Sequence, residues 1–192
     1  MPRASAADAA ETARRILQIA GEQFTARGYA AASVDEIARA ADVTRGAVYH
    51  HYTSKAGLFA AVVAHMQEEV ARAVVDAAAD APPLEALKRG SHAFLDAITA
   101  GGRARVLLVD APAALGWDAW RRTDAQASGV HLQEALVSIG IPAATRDATA
   151  AVLNGAMNEA ALWLTERPEQ QHARDAVHAA LDRMLDAVAS GI

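Results

Sequence analysis

The stretch Thr44 to Lys55, reading TRGAVYHHYTSK, gathers hydroxyl, guanidinium, imidazole and ammonium groups with no acidic residue between Val43 and Lys55. A helix meant only for solvent would mix charge signs and avoid a glycine near its start. Such a set of donors suits an anionic backbone. Thr44, Tyr49 and Lys55 can donate to phosphate oxygens, and Gly46 removes a side chain where a helix N-terminus could approach a phosphate. Arg45 can reach guanine in a major groove, Ala47 can touch a thymine methyl, and His50 can donate to a base edge or a phosphate. His51 lies on the same stretch, and Ser33 and Tyr52 complete the candidate nucleic-acid contacts.

Other chemistry has thinner support. Seven histidines invite a metal reading, and Glu169 with His172, or Asp175 with His178, have the i, i+3 spacing of a carboxylate-bridged di-iron site. That bundle needs the motif on two helices plus further carboxylates. Both pairs fall on one terminal helix, so solvated polar faces account for them better. Gly90, Ser91 and His92 do not form the G-x-S-x-G elbow, and neither H-E-x-x-H nor a phosphate-binding loop occurs. No enzymatic activity, cofactor or metal is expected. Zero cysteines exclude a disulfide scaffold and a thiolate site.

The elements that must hold the basic stretch can be read from capping and punctuation. Ser5 with Asp8 reads as a capping box for an opening helix that buries Ile16, Ile19, Ala20 and Phe24 and stops at Gly28. A second box, Ser33 with Glu36, opens a short helix carrying Val34, Ile37, Ala38 and Ala41. After Asp42 and Val43, Thr44 caps a third helix through about Tyr52. Two short helices joined by a turn of three or four residues make a helix-turn-helix, with small Ala38 at the steep crossing and Val34, Ile37, Val43 and Val48 fixing the angle.

Ser54 caps a long helix with Leu58, Val62, Met66 and Val70 inward, ended by Pro82 and Pro83. Leu84 to Ala100 is a further helix closed by Gly101 and Gly102, and Trp117 to about Ile139 another, broken by Gly140 and Pro142. The last two helices are predicted at about Thr145 to Glu166 and, after Pro168, about Glu169 to Ala189. The run Arg103 to Ala111 could be a buried strand, but a lone strand has nothing to pair with. It is read as a short buried helix ending near Pro112.

Composition agrees with an all-helical chain. Of 192 residues, 53% are hydrophobic, yet 51 are alanine, a good helix former and a poor core filler. The net charge of -5 counts against indiscriminate nucleic-acid binding, but it is uneven: residues 1–55 hold 7 basic and 6 acidic side chains, the remainder 11 and 17. No apolar stretch is long enough for a membrane span and no signal peptide precedes the first helix, so a cytoplasmic location is expected.

Residues 12–59, with FTARGYAAAS followed by SVDEIARAADVTRGAVYHHYTSKAGLF, resemble the DNA-binding domain of the TetR family of bacterial transcriptional repressors. Asp42 stands where the family often has Gly, and Ala47 where it often has a hydroxyl or larger residue, which leaves a sparser base-reading surface. The resemblance implies an all-α fold of about nine helices, with a DNA-binding domain over residues 1–55 and an effector-binding and dimerisation domain over residues 56–192. It implies a homodimer packed through its last two helices, on a pseudopalindromic double-stranded operator with recognition helices about 34 Å apart.

For that dimer face the sequence offers Val152, Leu153, Ala156, Met157, Ala160 and Leu164 on one helix, and Val177, Ala180, Leu181, Met184, Leu185 and Val188 on the other.

The resemblance also implies a small-molecule effector inside the helical body, whose binding releases the operator. Phe94, Ile98, Leu107, Trp117, Trp120, Leu132, Asn154, Met157, Asn158 and Trp163 are its candidate lining. Asn154 and Asn158, four apart on an apolar helix, need partners if buried; a ligand, the backbone and a second subunit all remain open. Asp110, Arg121 and Arg122 read as an ion-pair cluster of the body. The competing function is a ligand-binding or interaction protein that keeps the fold without repressor activity.

Overall fold

In a computed structural model of the chain, which describes residues 6–167 and 171–191, the periodic segments become nine successive helical bodies, with no strand among the described residues. Helix α1 spans Ala6–Ala31, α2 Val34–Ala40, α3 Arg45–Tyr52, α4 Lys55–Ala78 and α5 Pro83–Thr99. A short turn, Ala100–Gly102, leads to α6, a π-helical stretch Arg105–Asp110 that runs into Ala111–Leu115. Helix α7 is Trp117–Asp124, the π-helical Ala125–Gly129 and Val130–Ser138 in succession. Helices α8, Ala143–Thr165, and α9, Gln171–Ser190, complete the body.

The amino-terminal unit is built on a stripe. Ile16, Ala20 and Phe24 recur every fourth residue on α1, and all three are fully buried. Against them sit Ile37 and Ala38 of α2, Val48 of α3, and Leu58, Phe59 and Val62 of α4. Phe24, Tyr29 and Phe59 form an aromatic cluster, with the Phe24 and Phe59 rings edge-to-face at 4.9 Å and Tyr29 4.6 Å from Phe59. Burying rings of this size stabilises the unit by about 1.5–3 kcal/mol each. The small Ala38, 3% exposed, lets α2 cross α3 closely, and Val43 packs at the edge.

The caps divide. Thr44 accepts from the Ala47 amide at 3.1 Å and Ser54 from the Gly57 amide at 2.9 Å, as their positions predict. Asp42 adopts the left-handed conformation (φ 50°) expected of the turn. Ser33 has the extended N-cap backbone, but its hydroxyl caps nothing and the predicted box with Glu36 does not form, because the Glu36 carboxylate is taken by Arg27 of α1. The predicted cap Ser5 lies outside the described residues, as do Pro168 and Glu169.

Two boundaries move. Helix α4 ends at Ala78 and turns through Asp80 (φ 56°), so Pro83 opens α5 instead of closing α4. The run after Arg103 is helical but does not end near Pro112; it continues to Leu115. Proline inside an α-helix clashes with the carbonyl four residues back. The preceding π-helical turns, in which the Ala111 amide bonds the Val106 carbonyl, open that spacing and let Pro112 follow without a break.

The body closes around α4 and α5, whose Val63, Met66, Val70, Leu87, Leu95 and Ile98 are buried together with Val106 and Leu107 of α6. Leu153 and Met157 of α8 and Leu181 and Leu185 of α9 are also at most 6% exposed within the one protomer. These four and Leu164, all expected at a dimer face, therefore belong to the protomer's own core. The apolar groups that α8 and α9 leave outside are Val152 (66% exposed), Trp163 and Met184.

Helix α9 lies along α5 through a polar seam. Lys88 reaches Asp186 at 2.6 Å, His92 Nε2 lies 2.9 Å from Asp182, and Arg174 reaches Asp96 at 2.9 Å. His178, expected on a solvated face, is instead stacked flat on His92 with ring centroids 4.1 Å apart. Burial first, and the His92 ring second, push the His178 pKa below its usual value.

Candidate functional site

Helix α3 has one fully buried side chain, Val48, with Tyr49 and Tyr52 packed partly against the core. Its other residues lie wholly or partly at the surface. Thr44, Arg45, Gly46 and His50 are exposed, and Ala47, Tyr49, His51 and Tyr52 are half-buried. Gly46 is informative because of what surrounds it. A Cβ built there would meet only Thr44 Oγ1, at 3.7 Å, which is ordinary contact. Gly57 differs: its Cβ would fall 2.2 Å from the Tyr52 carbonyl oxygen, so the fold itself demands glycine. Nothing inside the chain demands it at position 46, which leaves an approach from outside as the physical use of the gap.

Arg45 is not a free cation. Its Nη1 lies 3.1 Å from Asp35 of α2, its Nη2 donates to the Tyr49 hydroxyl at 3.3 Å, and the guanidinium stands 5.3 Å from the Tyr49 ring centroid. The Tyr49 hydroxyl first, and the Asp35 charge next, raise the Arg45 pKa above its ordinary value. Asp35 was invisible to a reading confined to α3, because the partner sits ten residues away; the helix-turn-helix geometry that brings α2 across α3 was the signal. The exposed pair is weak and can open to let Arg45 turn outward.

Two other candidates are bound to the protein. The Tyr52 hydroxyl donates to the Ala13 carbonyl of α1 at 2.7 Å, and desolvation raises its pKa; as a structural tie it is withdrawn from the free donors. Lys55 donates to the Ala30 carbonyl at 3.1 Å and lies 4.7 Å from the Tyr29 ring centroid. It thereby closes the end of α1, with the remaining ammonium hydrogens open to another acceptor. The Ser33 hydroxyl, idle as a cap, is half-buried at the head of α2.

The end of α1 is also held from the body. Gly28 breaks the helix (φ 77°), and the next amide, Tyr29 N–H, donates to Asp110 of α6 at 2.9 Å. The φ requires glycine at 28; a Cβ there would also meet the Arg105 guanidinium at 2.4 Å, but that is the end of a flexible, exposed side chain that can move aside. Asp110 thus pairs with α1 and with Arg105, at 3.9 Å, and not with Arg121 or Arg122. Arg121 lies over the Trp117 ring at 5.5 Å. The expected three-residue cluster does not exist.

A cavity of about 460 Å³ lies in the body between α4, α5, α7 and α8. Of the ten residues expected to line it, Phe94, Leu132, Asn154 and Met157 do. Ile98, Leu107 and Trp120 are spent in the core at 5% exposure or less, while Trp117 and Trp163 point to the surface. Asn158 has a buried, unpartnered Oδ1 but is not a lining residue. Sequence reasoning missed Val74 and Ala78 at the end of α4, Gly90 and Ser91 on α5, and His131 and Glu134 on α7. Of these only Val74 carried a signal, since the inward stripe of α4 continues in register from Met66 and Val70 to it.

Asn154 has found its partner: its Nδ2 donates to Asp124 at 3.1 Å. Asp124 is 9% exposed, and burial, only partly opposed by this bond and by Arg121, raises its carboxyl pKa. At the cavity's other side His131 Nδ1 lies 3.4 Å from Glu134. Among the described residues no group of three or more metal-ligating side chains could hold an ion, and no helix is long and apolar enough to cross a membrane.

Comparison with known proteins finds likeness at both ends of the chain. Residues 16–62 match the family model described as bacterial regulatory proteins, tetR family, and residues 84–188 match the tetracyclin repressor-like C-terminal domain. The chain is 49% identical over 67 residues to the HTH-type transcriptional regulator SrpR of Pseudomonas putida, covering 35% of this chain and 32% of that protein. It is 32% identical over 110 residues to the regulator AcrR of Shigella flexneri, covering 56% of this chain and 51% of that one. The chain thus spans from a third to about half the length of these curated relatives.

A solved TetR-family transcriptional regulator from Pectobacterium atrosepticum is 30% identical, with a TM-score of 0.74 over 96% of this chain and 97% of that one. A transcriptional regulator from Rhodococcus sp. Rha1, 23% identical, shares the fold with a TM-score of 0.76 over 93% of this chain and 96% of its own.

Proposed function

The chain belongs to the TetR family of bacterial regulatory proteins, and from that premise we propose that it is a transcriptional repressor, a homodimer released from a pseudopalindromic operator by a small molecule. The observation that carries the reading is α3. Its outward face is free of acids, its Gly46 is open without internal need, and Thr44, Tyr49 and His50 stand along it as donors. Arg45 serves as the base-reading residue once it leaves Asp35, and Lys55 contributes a phosphate contact from the end of the unit.

The dimer forms through α8 and α9, whose exposed Val152 and Met184 are apolar groups left open in one protomer, with Trp163 also exposed, under the Arg167 guanidinium at 4.0 Å. The effector occupies the cavity beside α4. Because α4 carries both the cavity wall and Leu58, Phe59 and Val62 of the DNA-binding unit, a ligand that displaces its far end would change the spacing of the two recognition helices. Release requires that the effector bind the displaced arrangement better than the operator-bound one.

Selection of bound fragments from a genomic library by the purified full-length protein tests the proposal. Enrichment of one inverted repeat, with binding that weakens steeply as salt rises, is expected. Enrichment of no sequence over random DNA would overturn it and leave a ligand-binding protein on the same fold.

A further inference from the structure

Among the described residues the cavity wall holds no fixed cation. No lysine or arginine lines it; its titratable lining residues are His131 and Glu134, and one hydrogen bond behind Asn154 stands the carboxyl of Asp124. Arg121, whose charge reaches Asp124, is exposed and occupied over the Trp117 ring. Phe94, Leu132 and Met157 give the wall its apolar bulk, and Ser91, Ser128 and Ser138 add neutral hydroxyls. An organic carboxylate placed here would lose its hydration with no lysine or arginine on the wall to replace it. An ammonium would find on the wall the Glu134 carboxylate, largely open to water, and Asn154 backed by Asp124, and its arrival would favour the ionised form of the buried Asp124, which in the empty cavity is held toward its protonated form by desolvation.

We propose that the cavity takes a largely apolar molecule bearing an ammonium group and discriminates against carboxylates of the same shape. This rests on reading the cavity as the effector site. A neutral hydroxyl, able to donate to Asp124 or to accept from Asn154, ranks between the two.

The test uses three probes on one skeleton, naphthalen-2-ylmethanamine, naphthalen-2-ylmethanol and 2-naphthoate, titrated calorimetrically into the full chain at neutral pH. The amine is expected to bind at least about tenfold more tightly than the carboxylate, a factor that one buried charge close to the ligand can supply even at an intermediate effective dielectric. The substitution Asp124→Asn should abolish the preference for amine over alcohol while leaving alcohol binding in place. Ala135→Trp, which fills the half-buried cavity wall, should abolish binding of all three probes. Equal affinities, or a tighter carboxylate, in the unmodified protein would overturn the charge selectivity alone, whether or not Asp124→Asn folds. Failure of every probe to bind, or binding unaffected by Ala135→Trp, would overturn the cavity as the ligand site and the selectivity with it.

Discussion

Replacing Gly46 by alanine separates what the fold needs from what a partner needs. The added Cβ meets nothing closer than Thr44 Oγ1 at 3.7 Å, so no strain opposes the gain in helix propensity. Alanine for glycine inside a helix stabilises by about 0.5–1 kcal/mol, and a position in the first turn belongs at the low end. For a chain of this length that corresponds to a melting temperature higher by about 1–2 °C. The same methyl group stands where a phosphate would approach the start of α3. Loss of one charged hydrogen bond there is worth about 1.5–3 kcal/mol, which is a roughly ten- to hundredfold weaker operator affinity.

The assays are urea or thermal unfolding, and anisotropy titration of the selected operator at several salt concentrations. Gly57→Ala is the contrast: its Cβ would lie 2.2 Å from a backbone oxygen, so it must lose stability. If Gly46→Ala is more stable than the parent and binds operator equally well, the argument that the gap is kept for DNA is wrong.

Three further perturbations probe the ties found around the site. Tyr52→Phe removes the donor to the Ala13 carbonyl and should lower unfolding free energy by about 1 kcal/mol with operator affinity unchanged once folding is allowed for; a selective loss of affinity would return Tyr52 to the DNA contacts. Asp110→Ala leaves the part-buried Tyr29 amide without its acceptor and should cost about 1 kcal/mol in a urea melt, whereas a neutral result would show the tie to be idle. Since His178 has a folded pKa below its unfolded one, protonation favours the unfolded chain. Its contribution to stability is complete above the unfolded value near 6.5 and is lost as pH falls through the lower folded value. His178→Gln should flatten that part of the pH–stability profile, and an unaltered slope would refute the assignment.

Local chemistry was legible where one element decides it. Thr44 and Ser54 cap as their positions predict, Asp42 takes the left-handed turn, and the Ile16, Ala20, Phe24 stripe is buried. What required the fold is pairwise and distant in sequence. Asp35 meets Arg45 across the helix crossing, Arg27 takes Glu36 from its cap, and Ala13 claims the Tyr52 hydroxyl. Apolar periodicity on α8 and α9 cannot say which neighbour covers a stripe, and so Leu153, Leu181 and Leu185 were indistinguishable from Val152 and Met184. In the cavity, Phe94 and Met157 are large enough to be guessed. Gly90 and Ala78 line it by being small, and a sequence rich in alanine does not mark such absences.

The hydrogen bond from Tyr29 to Asp110, with Arg105 packed against Gly28, bears on how this protein could be recombined with its relatives. A chimera joined at the start of α4 would bring a foreign reading head onto a body whose α6 offers Asp110 to an open amide at 29, beside the left-handed turn at 28. Grafts should therefore carry residues 105 and 110 along with the head, or restore their partners on it. The seam for domain exchange is consequently discontinuous in sequence, although it is a single surface in space.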